Sequence, residues 1–251
     1  MCSWDKGCFP VEGTLLASGS PGIGIFAVRR PSRILIAVIG SVVFGYAVYV
    51  SARRGLADWN SMRWRYEIAG WAEHRASPPP ERLQEAITTL IETIELTPDD
   101  PTLIEHLGTA LALRAAGSSP GSEPQRLYLV AALVRFRNAA ALRPTSPYTW
   151  ANILLTKYRL GEVDNEFFGA MRNALAFGPW EPAVQLIVAD AGLGAWERLD
   201  EALRALVRDD LQRAAVRQAD SLVRIASDHH KIDIVCAASN DRIKSRVKCP
   251  E

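Results

Sequence analysis

Apolar residues recur every three or four positions along most of this 251-residue chain, and clusters of Pro, Gly and Ser separate the periodic stretches. This spacing is typical of amphipathic α-helices, so the sequence predicts an all-α fold. Outside the repeats described below, the predicted helical segments are residues 57–76, 81–96, 182–193, 199–217, 219–226 and 232–237. Residues 1–28 lack this periodicity and are rich in Gly, Ser and Pro, so we expect them to be disordered, and the polar tail 239–251 to be flexible.

Residues 34–52 form a 19-residue run without a charge. At about 1.5 Å per residue this run can cross a bilayer core of about 30 Å. Tyr46 and Tyr49 lie toward one end, as interfacial aromatic residues do. A buried helix and a cleaved signal peptide are the alternatives, but the run is long for a signal peptide and no clear cleavage site follows it. We therefore predict a single transmembrane helix over 34–52.

Basic residues flank this run on both sides. Arg29, Arg30 and Arg33 precede it, and Arg53 and Arg54 follow it. The positive-inside rule favours a cytoplasmic N-terminus by one residue. The expected localisation is therefore the bacterial inner membrane, single-pass, with the bulk of the chain in the periplasm.

The membrane-proximal segment 57–76 is rich in aromatic residues, namely Trp59, Trp64, Tyr66 and Trp71. Aromatic and basic residues next to a membrane are typical of an interfacial helix. The alternative is that the segment is the first helix of the folded domain and packs on residues 83–96. We favour this second interpretation, because Trp64, Ile68 and Trp71 share one helix face.

A frame of Arg-Asn-Ala followed by Pro-x-x-Pro begins at Arg137 and again, 35 residues later, at Arg172. A third Pro-x-x-Pro begins at Pro98, 46 residues before its counterpart at Pro144, and the turn-rich stretch 117–124 accounts for the extra length. A period of about 34 residues with two helices per unit is typical of tetratricopeptide-type solenoids.

The prolines of this frame predict where helices end and begin. The first of each pair closes the preceding helix, and the second suits the first position of the next helix. The closing prolines are Pro98, Pro144 and Pro179, and the opening prolines are Pro101, Pro147 and Pro182. Asp100 and Ser146 stand where an N-cap belongs, and Glu181 is a weaker cap.

The two units resemble the tetratricopeptide family position by position. Repeat one supplies Ile104, Leu107, Gly108, Leu111, Ala132, Phe136, Ala139 and Pro144. Repeat two supplies Trp150, Ile153, Leu154, Lys157, Phe167, Met171, Ala174 and Pro179. Leu154, Lys157 and Phe167 stand where that family has Gly, an aromatic residue and Ala. The resemblance implies a tetratricopeptide-like helical-repeat solenoid over 81–237, so that the whole fold is expected to be a single transmembrane helix followed by this solenoid.

A second resemblance is carried by the run 140–161 and by the segments 178–186 and 232–236. These stretches are similar to the VpsP-type polysaccharide-biosynthesis proteins of proteobacteria, and the similarity covers the anchor and residues 125–237. It implies a role in making or exporting an exopolysaccharide, with protein components of that machinery as partners. It implies no catalytic residues.

Composition and motifs add little chemistry. A formal net charge of +1 with 23% charged residues gives no reason to expect a nucleic-acid partner. The Arg and Asp residues of 199–217 alternate in sign, which is typical of a solvated helix face. No P-loop or nucleophile motif occurs, so we expect no cofactor and no enzymatic activity.

Three smaller features have a structural and a functional interpretation. A metal cluster can be drawn from Asp228, His229, His230, Asp233 and Cys236, but adjacent histidines point to different helix faces, so we favour a role at the surface and in a turn. Asp190 lies in an apolar run and is expected to be a hydrogen-bonded structural carboxylate. Cys236 and Cys249 could pair in an oxidising compartment, but we favour a single buried thiol at Cys236.

The repeat register predicts a binding groove along the first helix of each unit. The candidate partner-binding residues are Glu105 and His106 in repeat one, and Tyr148, Asn152, Leu155, Tyr158 and Arg159 in repeat two. Tyr, Arg and Asn side chains are residue types that anchor a protein partner. The sequence therefore favours a membrane-anchored, non-catalytic scaffold in exopolysaccharide biosynthesis or export. The alternatives are a periplasmic adaptor in another envelope assembly pathway, or an enzyme.

Overall fold

The computed structural model describes residues 30–73, 78–238 and Cys249, and no strand occurs among them. The all-α prediction is confirmed. The helices are α1 (Arg30–Glu73), α2 (Pro80–Leu96), α3 (Pro101–Ala116), α4 (Glu123–Leu142), α5 (Pro147–Leu160), α6 (Asn165–Phe177), α7 (Pro182–Gly194), α8 (Glu201–Asp228) and α9 (Ile232–Ala238), with a 3-10 turn at Trp196–Arg198 before α8. The predicted disordered segment 1–28 and most of the predicted flexible tail 239–251 lie outside the described residues.

The chain divides into two units, residues 1–48 and residues 49–251. In the first unit, the described residues belong to α1 and carry a candidate membrane span. This is the one helix in the described part of the chain that is long and apolar enough to cross a bilayer, and no residue of its most apolar window is buried. The predicted transmembrane run 34–52 begins in this unit and lies within α1.

The second unit begins with the later part of α1, whose inner face packs against the domain. Ala57, Trp64 and Ile68 are buried in a cluster with apolar residues of α2 and α3. This burial favours the interpretation of the segment as part of the folded domain rather than as an interfacial helix, although its residues 74–76 lie outside the described part of the chain. The segment is not a separate helix, because α1 runs from Arg30 to Glu73.

Proline and capping signals place the helix ends as predicted. Pro101, Pro147 and Pro182 are the first residues of α3, α5 and α7. The carboxylate of Asp100 accepts hydrogen bonds from the backbone amides of Thr102 and Leu103 at 2.8 and 3.3 Å. The Ser146 hydroxyl accepts from the Thr149 amide at 3.4 Å, whereas Glu181 forms no side-chain cap.

Successive helices pack as pairs, α3 with α4, α5 with α6 and α7 with α8, and α5 also contacts α3 and α7. The pairs interlock through small residues. A Cβ atom added to Gly108 on α3 would lie 2.6 Å from a ring carbon of Phe136 on α4, so only glycine fits there. Ala139 on α4 and Ala174 on α6 are fully buried. Because α5 contacts both α3 and α7, the first helix of each pair lies beside the first helix of the next.

The C-terminal part agrees with the prediction at one point and differs at another. The predicted break between helices 199–217 and 219–226 is found within α8, at a kink where Gln218 leaves helical geometry (φ −128°, ψ 32°). The prediction of a single buried thiol at Cys236 is wrong, because Cys236 forms a disulfide with Cys249. Cys236 lies on α9, and its Cα atom is 5.7 Å from that of Cys249, a separation that a disulfide spans readily.

Candidate functional site

A groove of about 440 Å³ runs along the first helices of the three pairs in the second unit. Helix α3 contributes Thr109, Ala112, Leu113 and Ala116, with Gly117 just after its end, helix α5 contributes Asn152, Leu155, Thr156 and Arg159, and helix α7 contributes Leu186, Ile187 and Asp190. Phe136 of α4, Trp71 and Ala72 of α1, and Pro78 complete the lining. Because α5 packs between α3 and α7, the three helices present one continuous surface.

The lining combines apolar and polar side chains in a way that suits a peptide. Aliphatic residues such as Leu155, Leu186 and Ile187 supply surface that a partner's apolar side chains can cover. Arg159 and Asp190 add one charge of each sign, and Asn152 adds an amide. A few polar groups within an apolar surface fix the orientation of a ligand, so the groove can bind and orient a chain segment.

Three of the seven sequence-predicted residues line this groove, namely Asn152, Leu155 and Arg159. The other four lie elsewhere in the described part of the chain. The Glu105 carboxylate is nearly buried and accepts hydrogen bonds from Arg143, Thr149 and Asn152 at 2.5, 3.0 and 3.3 Å. Glu105 therefore joins α3 to the start of α5 and holds the Asn152 amide at the groove wall.

His106 and Tyr148 have local partners. The Nδ1 atom of His106 lies 2.7 Å from the Thr102 carbonyl oxygen, one helical turn earlier. Tyr148 is 44% exposed, and its hydroxyl donates to the Glu181 carboxylate at the start of α7. This hydrogen bond, with burial and the negative charge of Glu181, raises the pKa of Tyr148 to about 12. Neither side chain is among the residues that line the groove.

Tyr158 belongs to a small polar cluster beside the groove. His229 Nε2 lies 2.7 Å from Asp190 Oδ1, and the Tyr158 ring meets the His229 ring edge-on with centroids 6.0 Å apart. Burial and the nearby Asp190 raise the pKa of the Tyr158 hydroxyl. A Cβ atom at Gly194 would lie 2.0 Å from the Tyr158 oxygen, so this glycine makes room for the phenol.

The cluster corrects the view of His229 as a mere surface residue, and it agrees with a hydrogen-bonded Asp190. The two residues are 39 positions apart, so no local signal could have joined them. His229 faces Asp190 instead of the other candidate metal ligands near it. Among the residues that the structure describes, no group of His, Cys, Asp and Glu has the arrangement of a metal site.

Lys157 is a buried cation. From the sequence it is notable only because it stands where the repeat pattern has an aromatic residue. Its side chain is 2% exposed, and its ammonium lies 3.0, 2.9 and 3.0 Å from carboxylate oxygens of Glu162, Asp164 and Glu166. Burial alone would lower the pKa of Lys157, but the hydrogen bonds to the three carboxylates outweigh it and raise that pKa. The ammonium therefore stays charged and ties α5 to the start of α6.

Asp210 on α8 contradicts the prediction of a solvated face on that helix. Its side chain is 1% exposed, one oxygen accepts from Arg213 at 3.3 Å, and the other has no hydrogen-bond partner. Burial raises the pKa of this carboxyl to about 7, although the Arg213 charge opposes the shift. The alternating charges of this helix predicted a solvated face, whereas Asp210 lies on the inner side of the helix.

No family model matches the chain, and no curated protein matches it either.

Proposed function

We propose that this protein is a membrane-anchored, non-catalytic adaptor that holds a segment of a protein partner in the groove along α3, α5 and α7. The observation that carries the proposal is the groove lining itself, in which Asn152, Leu155 and Arg159 face Leu186 and Asp190 across neighbouring helices. Helix pairs with a shared first-helix surface are the arrangement of tetratricopeptide-like solenoids, and such solenoids use extended concave surfaces for binding.

The proposed setting is the assembly or export of an exopolysaccharide. It rests on the resemblance of residues 140–161 and 178–186 to VpsP-type proteins, so the partner would be a protein component of that machinery. The candidate span in α1 supports attachment to a membrane. The disulfide between Cys236 and Cys249 supports a periplasmic location for the domain, because structural disulfides persist in oxidising compartments.

The groove is tested by changing two lining residues that the fold does not bury. In the host, Leu155→Ala combined with Arg159→Ala is expected to leave the chain folded and membrane-attached but to lower surface polysaccharide. Arg224→Ala, at an exposed position of α8, is the control and should leave polymer output unchanged. Normal polymer output from a stable double variant would exclude the groove as the binding site.

Deletion of the gene tests the proposed polysaccharide pathway independently of the proposed groove. Loss of polymer on deletion, without loss in the double variant, would retain the pathway and reject the groove. Unchanged polymer on deletion would reject the polysaccharide role and favour another envelope assembly pathway.

The proposed topology has its own test. A reporter enzyme that is active only outside the cytoplasm should be active when it is fused after Glu251. An inactive but stable fusion, together with an active cytoplasmic reporter at the same position, would place the domain on the other side of the membrane.

A further inference from the structure

The membrane-proximal part of α1 exposes a row of large side chains on the side that faces away from the domain. Trp59, Met62 and Tyr66 are 78%, 41% and 76% exposed. At about 100° per residue they lie opposite Trp64 and Ile68, the residues that pack into the domain. The row lines an open hollow that Glu85 of α2 also borders, and its three side chains stay accessible to a partner.

This row has the spacing of a coiled-coil seam. We define the α1 stripe as the row extended back to Ala52, so that its residues follow one another in alternating steps of three and four positions: Ala52, Gly55, Trp59, Met62 and Tyr66. The same steps continue toward the N-terminus in the sequence at Val48, Gly45 and Ser41. A strict alternation of three and four is the pattern by which two helices pack along a shared seam.

Charges beside the stripe fit a second, parallel copy. In a parallel pair, the residue just before one seam position faces the residue five places later on the other helix. Here those residues are Asp58 and Arg63, which have opposite charge and side chains that are 63% and 60% exposed. Within one chain Asp58 pairs with Arg65, and Arg63 pairs with Glu67 at 3.0 Å, so both are already held beside the stripe.

We propose that two copies of this chain pair in parallel through the α1 stripe, with Asp58 of each copy facing Arg63 of the other. Copies anchored in one membrane by the same span enter the aqueous phase in the same direction, as this register requires. A lipid surface fits less well, because Tyr66 lies about 21 Å along α1 from Ala52, whereas the headgroup layer is only about 5–8 Å deep. The pairing does not depend on what occupies the groove.

Cysteine cross-linking of the full chain in lipid bilayers tests the seam. Cys2 and Cys8 are first replaced by Ser, which leaves the Cys236–Cys249 disulfide in place. Single cysteines are then introduced at Trp59, Met62 or Tyr66, or at the control positions Arg54 and Asn60, which are exposed but point about 120° away from the seam. Mild oxidation should give several-fold more covalent dimer from the three seam positions than from the two controls.

Charge exchange tests the register independently. Asp58→Arg and Arg63→Asp should each reduce the dimer formed through a cysteine at Tyr66, and the double exchange should restore it. Met62→Lys should reduce the dimer strongly, whereas Asn60→Lys should not. If either residue acted only within its own chain, the double exchange would not restore the yield of cross-linked dimer.

Three outcomes would overturn the pairing. Equal cross-linking at seam and control positions would indicate random collision, and no cross-linking at any position would indicate a monomer. A spin label at Met62 that is reached by lipid-soluble relaxation agents and lacks dipolar broadening would assign the stripe to lipid instead.

Discussion

Lys157 and Asp210 are both almost completely buried, but they differ in how many groups of opposite charge surround them. The Lys157 ammonium meets three carboxylates within 3.0 Å, from Glu162, Asp164 and Glu166. Asp210 meets one guanidinium at 3.3 Å and leaves one oxygen without a partner. Burial by itself therefore does not decide whether a group stays charged. The number of counter-ions that the fold supplies decides it.

The two sites are expected to respond to pH in opposite directions. Hydrogen bonds from Arg137 and Lys157 keep the pKa of Glu166 low, so the stability this carboxylate contributes is present above its unfolded pKa and is lost as pH falls through the lowered value. The pKa of Asp210 is raised to about 7, so the folded state binds the extra proton. Its stability contribution is present at low pH and is lost as pH rises through about 7.

Removal of the Lys157 charge should give the largest effect. Lys157→Ala removes a buried aliphatic stem together with the cation that Glu162, Asp164 and Glu166 share, although Glu166 keeps Arg137, and should lower the free energy of unfolding by about 3–5 kcal/mol. Lys231→Ala is the control, because Lys231 pairs with one exposed carboxylate, that of Glu197, and its removal should cost far less than that of Lys157. Thermal or chemical unfolding of the full chain in detergent measures both. Equal costs would contradict the view that Lys157 organises the start of α6.

Neutralising Asp210 should have an intermediate effect of the opposite sign. Asp210→Asn removes a charge that the site solvates poorly, so at pH 8 the variant should be more stable than the wild type by about 1–3 kcal/mol. The wild type should lose stability between pH 5 and pH 8, and the variant should lose less. Asp209→Asn, which removes the same charge from the exposed neighbouring position, should keep the wild-type pH dependence.

Removal of one of the three carboxylates should give the smallest effect. Asp164→Asn keeps an N-cap for the Glu166 and Phe167 amides and leaves Glu162 and Glu166 on the ammonium. We expect a cost below about 1 kcal/mol at neutral pH. A cost as large as that of Lys157→Ala would show that the three carboxylates are not interchangeable, and denaturation midpoints at pH 7 distinguish the two cases.

Features that depend on neighbours in sequence were predictable. Proline and capping residues placed the starts of α3 and α5 because those signals act within one helical turn. The helical register also brought Asn152, Leu155 and Arg159 to one surface. In contrast, the contact between Asp190 and His229 joins residues 39 positions apart, and it depends on how α7 and the end of α8 pack, which periodicity does not encode.

Counter-ions were hidden for a related reason. The acidic residues that contact Lys157 follow it closely in sequence. A helical pattern predicts which face of a helix is polar, but it does not predict that the turn after α5 places these carboxylates on the Lys157 ammonium. Asp210 was assigned to a solvated face by its alternating neighbours, although it lies on the inner side of α8. Residue type and spacing therefore predicted the helices better than the polar contacts between them.

The disulfide of Cys236 and Cys249 changes the connectivity of the chain as well as its packing. Together with the backbone it closes a covalent ring that includes residues 236–249. A protease that cuts one peptide bond inside this ring opens it but releases nothing, so the mass of the unreduced chain rises by one water molecule. The C-terminal piece, with any tag attached after Glu251, separates only when a reductant is added. Gel mobility before and after reduction therefore reports whether the ring has closed.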